Sequence, residues 1–124
     1  TREFVDGNWA RPPDSTSNTD KLLNFVACMD GSLPAYYIKT SGRSPLPGER
    51  RKWLIYFEVG PLCYDEESCD ALVAEYPQAA STLEWPETRE VDGIFSDDPS
   101  NDMADFNKVL VGYCSGDSYI SNLD

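Results

Sequence analysis

Arg51-Lys-Trp-Leu-Ile-Tyr-Phe-Glu-Val-Gly-Pro-Leu-Cys63 is the stretch on which the reading of the fold turns. Its middle, Trp53, Leu54, Ile55, Tyr56 and Phe57, is an unbroken apolar run rich in aromatic and β-branched side chains, preceded by charges and followed by Val59-Gly60-Pro61. A run this short does not make a buried helix; it reads as a strand covered on both faces, as in the middle of a parallel sheet. A strand in an antiparallel sandwich would alternate with polar residues instead. Downstream, Lys108-Val-Leu-Val-Gly-Tyr-Cys114 is a second run of the same kind. Between the two, Asp65-Glu66-Glu67-Ser68 stands where a helix begins, because carboxylates there complement the positive end of the helix dipole. Cys69, Leu72, Val73 and Tyr76 follow at helical spacing as a packing stripe, and Pro77 ends the helix. Strand, helix, strand is a βαβ unit, so the two apolar runs are expected to lie parallel in one sheet and the chain to be α/β.

Upstream of this unit, Leu22 to Cys28 reads as a strand, Asp30-Gly31-Ser32 as a turn and Ala35 to Thr40 as the returning strand of a hairpin. With the βαβ unit this makes four strands in a domain spanning 22–124. Residues 1–21 hold few apolar anchors and read as an extended arm, pinned at most through Phe4, Val5 and Trp9. Ser41 to Glu49 is an exposed loop leading through the basic triplet Arg50-Arg51-Lys52 into the central strand. In 79–105, Trp85-Pro86, Gly93 and Pro99 break every period, so loop and short helix are expected.

The 124 residues carry a formal charge of −12 and no histidine. Nucleic acid and anionic membrane surfaces would be repelled by that charge, whereas a basic partner or divalent cations would fit it. No apolar run is long enough to cross a membrane, and the chain begins without methionine, as a processed product would. Four cysteines, at 28, 63, 69 and 114, suit an oxidising compartment, extracellular or an organelle lumen, better than a zinc site, because only Cys63 and Cys69 are close in sequence. A calcium site is raised by Asp65-Glu66-Glu67, Asp97-Asp98 and Asp102 with Asp105. These clusters lack the spacing and glycine of a calcium loop, so solvated surface is the simpler account, and no metal or other cofactor is expected.

Several pieces together resemble the pectin acetylesterase and Notum carboxylesterases, a family of secreted α/β-hydrolases. They are Cys28-Met-Asp-Gly-Ser with Tyr36-Tyr37, Arg51 to Glu58, Cys63 and Cys69-Asp70, Trp85-Pro86-x-Thr88, Gly93-Ile94-x-Ser96, Asn107 and Tyr113-Cys114-Ser115-x-Asp117. The resemblance implies disulfides Cys28–Cys114 and Cys63–Cys69. Chain entropy makes the long bridge worth roughly 4–5 kcal/mol against about 2 for the short one. It also implies a sheet in which the hairpin comes first, the Lys108–Cys114 strand next and the Trp53–Phe57 strand beyond it.

Two features depart from a working hydrolase. The family's nucleophile sits in a Gly-x-Ser-x-Gly elbow and is served by a histidine; neither occurs in these 124 residues. Ser115 and Ser118 beside Asp117 therefore lack a base to activate them. The family's oxyanion loop follows the central strand with glycines, and here the run is Val59, Gly60, Pro61, in which proline has no N–H to donate. Losing one such donor costs on the order of a hundredfold in rate.

In the family the strand leading to the nucleophile flanks the Trp53–Phe57 strand, so here Trp53, Leu54, Ile55, Tyr56 and Phe57 are expected to form an open edge that a second protein chain must cover. Two functional expectations follow. The first is a non-catalytic structural or interaction subunit derived from such a hydrolase. The second is the N-terminal chain of a processed carboxylesterase whose Ser/Asp/His triad lies on a companion chain.

Overall fold

The computed structural model describes residues 3–5 and 27–120. By their internal contacts the described residues fall into two compact units: 3–5, 36–56 and 86–111 belong to the first, and 27–35, 57–85 and 112–120 to the second. The elements in chain order are β1 (Glu3–Val5), β2 (Tyr36–Lys39), β3 (Trp53–Phe57), α1 (Glu66–Glu75), β4 (Arg89–Val91) and β5 (Asn107–Val111), with short 3-10 turns at Pro77–Ala79 and Gly93–Phe95.

The first unit is built on a three-stranded sheet in the order β2-β5-β3. β2 and β5 are antiparallel, with Tyr36 opposite Val111 and Lys39 opposite Lys108. The Asn107 N–H donates to the Lys52 carbonyl at 2.9 Å, which ties the start of β5 to the start of β3. Two neighbouring strands joined at their starts run in the same direction, so the sheet is mixed and the fold is α/β, with β3 and β5 parallel as the βαβ reading requires. Among the described residues, Tyr37, Leu110 and Phe95 are the buried hydrophobic residues of this unit.

Three expectations about this unit are corrected. The central apolar run forms its strand, but Trp53 is 49% exposed, Ile55 57% and Phe57 56%, where cover on both faces was expected. β3 closes the sheet, with β5 its one hydrogen-bonded neighbour among the described residues. The extended arm 1–21, pinned at most through Phe4, Val5 and Trp9, was not expected to pair in a sheet, nor 79–105 to hold a strand beside its loop and short helix, yet the two contribute a second, two-stranded sheet. In it Glu3–Val5 pairs antiparallel with Arg89–Val91. The first strand of the proposed hairpin, 22–28, falls almost wholly outside the described residues; Ala27 and Cys28 are not in a strand.

The second unit is held by two disulfides, Cys28–Cys114 and Cys63–Cys69, the pairs implied by the family resemblance. Its core is Cys28, Ala35, Leu72, Ala80, Tyr113 and Cys114. Backbone bonds flank both bridges: Met29 N–H donates to Cys114 O at 3.0 Å, and Cys63 N–H to Gly116 O at 3.0 Å. Helix α1 starts where the acidic run predicts. Asp65 is its N-cap, and its carboxylate accepts the Ser68 N–H at 2.8 Å while the Ser68 hydroxyl accepts the Asp65 N–H at 3.1 Å, a reciprocal box that satisfies two otherwise orphaned donors. The hydrogen bonds from Ser68 hold the Asp65 carboxyl below its ordinary value. Of the expected packing stripe only Leu72 is buried; Val73 and Tyr76 stay 44% and 49% exposed.

Candidate functional site

The turn that follows β3 is the place to look for an oxyanion site, and its carbonyls are spoken for. Tyr113 directs its hydroxyl to the Pro61 carbonyl at 2.9 Å, and Tyr119 directs its own to the Glu58 carbonyl at 2.8 Å. Both ends of Glu58–Pro61 are thus tied to the 113–119 loop. Pro61 brings no N–H to the turn. The Val59 side chain, 84% exposed, supports nothing.

Gly60 is required for a reason the sequence did not disclose. A Cβ built on it would lie 1.9 Å from Cδ1 of the Tyr113 ring, so any side chain here expels the tyrosine. The glycine that resembles part of an oxyanion loop therefore serves the packing of an aromatic ring. A Cβ at Gly112 would likewise meet the Trp85 ring at 2.1 Å.

The loop that presents the two tyrosines is itself locked. Ser118 N–H donates to the Tyr113 hydroxyl oxygen at 3.1 Å, so that oxygen both gives and receives. Ser118 and Tyr119 hold left-handed backbone at φ 57° and 62°, a conformation that costs non-glycine residues energy and persists only where neighbours enforce it. Asp117 supplies that enforcement, accepting the Tyr119 N–H at 3.0 Å and the Ser115 hydroxyl on the same oxygen. Ser115 and Asp117 do meet, but the carboxylate spends itself on the turn, and the sequence has no imidazole to complete a relay. Phe57 and Tyr113 pack edge-on against Tyr119, with ring centroids 5.3 and 5.4 Å away. Burial, and then the nearby charge of Glu58, push the Tyr119 hydroxyl above its ordinary value.

A second polar cluster, in the first unit, was not foreseen. Lys108, the second residue of β5, is 2% exposed and directs its ammonium to the carbonyls of Phe95, Ser96 and Ala104 at 3.1–3.2 Å and to Asp97 Oδ1 at 2.6 Å. The other Asp97 oxygen pairs with Lys39. Burial raises the Asp97 carboxyl, but the hydrogen bonds and charges of the two lysines outweigh it and leave the group below its ordinary value. A lysine inside an apolar run is the signal that could have revealed the cluster, since a buried ammonium demands acceptors. Of the acidic residues raised as a calcium site, Asp97 is paired with two lysines. Asp98 turns back on the Ser100 N–H and hydroxyl, and Asp105 reaches Arg43 at 3.5 Å. Among the described residues no three acidic, cysteine or histidine side chains converge.

The edge residues Trp53, Leu54, Ile55, Tyr56 and Phe57 form the outer strand of the sheet. Tyr56 is partly covered by Phe95, edge-on at 5.6 Å. No described helix is long and apolar enough to cross a membrane.

A mixed sheet with a strand, helix, strand succession, two disulfides and a turn after the strand where an oxyanion loop would stand defines an α/β-hydrolase-like protein. The chain belongs to the pectinacetylesterase family, whose pattern it matches over residues 17–124. It is 37% identical over 99 residues to the palmitoleoyl-protein carboxylesterase NOTUM of Mus musculus, an overlap covering 77% of this chain and 18% of the mouse protein. The inactive palmitoleoyl-protein carboxylesterase notum1b of Danio rerio is 36% identical over 94 residues, covering 74% of this chain and 63% of that one. A crystal structure of the Wnt deacylase Notum from Drosophila superposes with a TM-score of 0.65 and 26% identity, covering 93% of this chain and 27% of the other. The 124 residues thus span less than a third of the carboxylesterase NOTUM and of this solved structure.

Proposed function

We propose that this chain is a non-catalytic, structural or interaction subunit of pectinacetylesterase ancestry, which docks through β3 onto another protein chain in an extracellular or lumenal, oxidising compartment. The observation that carries the reading is the Glu58–Pro61 turn. A hydrolase needs N–H groups aimed at a developing oxyanion. Here the turn contains a proline, its glycine is committed to the Tyr113 ring, and its end carbonyls are held by tyrosine hydroxyls. The similarity to an inactive zebrafish relative supports the same reading. The two disulfides support the compartment. The exposed apolar edge strand supports docking, since an uncovered edge invites pairing with another chain. A hydrolase-domain chain of the same family is the first partner to test.

The test has two arms. Purified chain, with disulfides intact, is incubated with a short-chain p-nitrophenyl ester and with a fluorophosphonate serine probe; neither turnover above buffer nor labelling is expected, and either one overturns the non-catalytic reading. Native mass spectrometry then looks for association, and a stable monomer that neither self-associates nor binds a family hydrolase chain overturns the docking. The second reading, an N-terminal chain of a processed carboxylesterase, is favoured by the similarity to active NOTUM carboxylesterases. Probe labelling of a companion chain that co-purifies with this one would select it.

A further inference from the structure

The loop between β2 and β3 holds four of the ten basic residues of a strongly acidic chain, Arg43, Arg50, Arg51 and Lys52. From Thr40 to Lys52 there is no helix or strand, and every residue from Gly42 to Trp53 is exposed. Exposed loops without ladder hydrogen bonds are where endoproteases find backbone they can draw into an extended conformation. The remaining basic residues of the described part are poor targets: Lys39, Arg89 and Lys108 all lie in paired strands, and Lys108 is buried.

Within the loop the four basic residues are not equivalent. Arg43 is engaged by Glu49 at 3.1 Å and by Asp105 at 3.5 Å, and Glu49 also accepts the Leu46 N–H at 3.0 Å, so this part is tied down. Lys52 is tied through its carbonyl, which accepts the Asn107 N–H, and its ammonium rests over the Phe106 ring, 5.4 Å from the centroid. Between these anchors, Arg50 and Arg51 make no ion pair or hydrogen bond to any described residue. A protease pocket built around a carboxylate accepts such a free guanidinium.

We infer that 50–52 is a processing site for a serine endoprotease that reads paired basic residues, with the Arg51–Lys52 peptide bond as the one cut. Water adds across that bond: the Arg51 carbonyl carbon takes the hydroxyl and becomes a carboxylate, and the Lys52 nitrogen takes the proton and becomes an ammonium. The Lys52–Trp53 bond is spared because its carbonyl already serves the β3–β5 ladder. Cys28 lies before the cut and Cys114 after it, so the two pieces stay joined by the long disulfide. The cut product is therefore a two-segment molecule whose β3 begins next to a new chain end.

The test treats the full oxidised chain with limiting trypsin and, in parallel, with a subtilisin-like paired-basic endoprotease, and reads intact masses with and without reductant. The expected first product within residues 27–120 gains one water without reductant and separates after reduction into 1–51 and 52–124. The double substitution Arg50→Gln with Arg51→Gln slows that cut by at least about a hundredfold, while the near-ultraviolet circular dichroism stays unchanged. Glu49→Ala, which releases the tether on the N-terminal side, makes the cut faster, as expected for a cleavage that samples local opening. A first cut at Lys39, Arg43, Lys52, Arg89 or Lys108 overturns the inference. So does resistance of the native chain to either protease at doses that digest the reduced, denatured chain.

Discussion

Strands β3 and β5 read almost alike in sequence and live in different surroundings. In β5, Asn107, Lys108 and Leu110 are buried; in β3 every residue but Leu54 is exposed. The difference is one of neighbours: among the described residues β5 has a strand on either side and β3 has one. Apolar character therefore reports the sheet a strand is suited to, while its actual cover depends on which strands are at hand. The unequal pair is matched by unequal bridges, since Cys114 closely follows β5 and Cys63 follows β3.

The sharpest way to break this comparison is through the bridges. Replacing Cys28 and Cys114 by serine is expected to cost about 4–5 kcal/mol, because the loop closed spans 86 residues. Replacing Cys63 and Cys69, six residues apart, should cost about 2. Urea unfolding of both double variants under oxidising conditions measures the ratio. Next comes a matched truncation on the strands themselves: Leu110→Ala is expected to cost about 3 kcal/mol. Ile55→Ala, on the exposed strand, should cost under about 1 kcal/mol while the chain is alone. A larger loss at Ile55 in the presence of a binding partner would show that β3 has acquired the cover β5 already has.

Smaller again is the Asp97 bridge, whose carboxylate is part-exposed. Asp97→Asn is expected to cost about 1–2 kcal/mol, since the three carbonyls around Lys108 remain. Its pH signature follows from the sign of the shift. The folded carboxyl lies below its ordinary 3.8, so its contribution is present above that value and is lost as the pH falls through it toward the folded value. The stability gap between the wild-type chain and Asp97→Asn should therefore be constant at higher pH and close below about 3.8; a gap that widens in acid would contradict the bridge. Circular dichroism melts across pH 3–6 would show which occurs.

Long periodic or unbroken apolar segments were legible: both strands of the βαβ unit and the helix with its acidic first turn form from the residues expected, although the second strand ends at Val111 and not at Cys114. The two three-residue strands were not, because Glu3-Phe-Val and Arg89-Glu-Val carry charges, are too short to show a period, and gain meaning only from each other across more than eighty residues. The site was half legible. Pro61 declares its missing donor by its chemistry alone. The hydroxyls of Tyr113 and Tyr119 acquire their roles by folding back over 52 and 61 residues, and no local pattern marks such a contact. In sequence Lys108 is absorbed into an apolar run, and Asp97 into solvated surface; each needs the other to be understood.

The caged ammonium of Lys108 also bears on how the protein responds to amine-directed reagents. An acylating reagent must reach the amine nitrogen itself, and this one is 2% exposed and hydrogen-bonded to four acceptors. Lys52, at the surface beside Phe106, has no such cage. Acyl groups arriving at Lys108 would thus report molecules in which the 95–104 segment had lifted away, which makes that one nitrogen a built-in gauge of local opening.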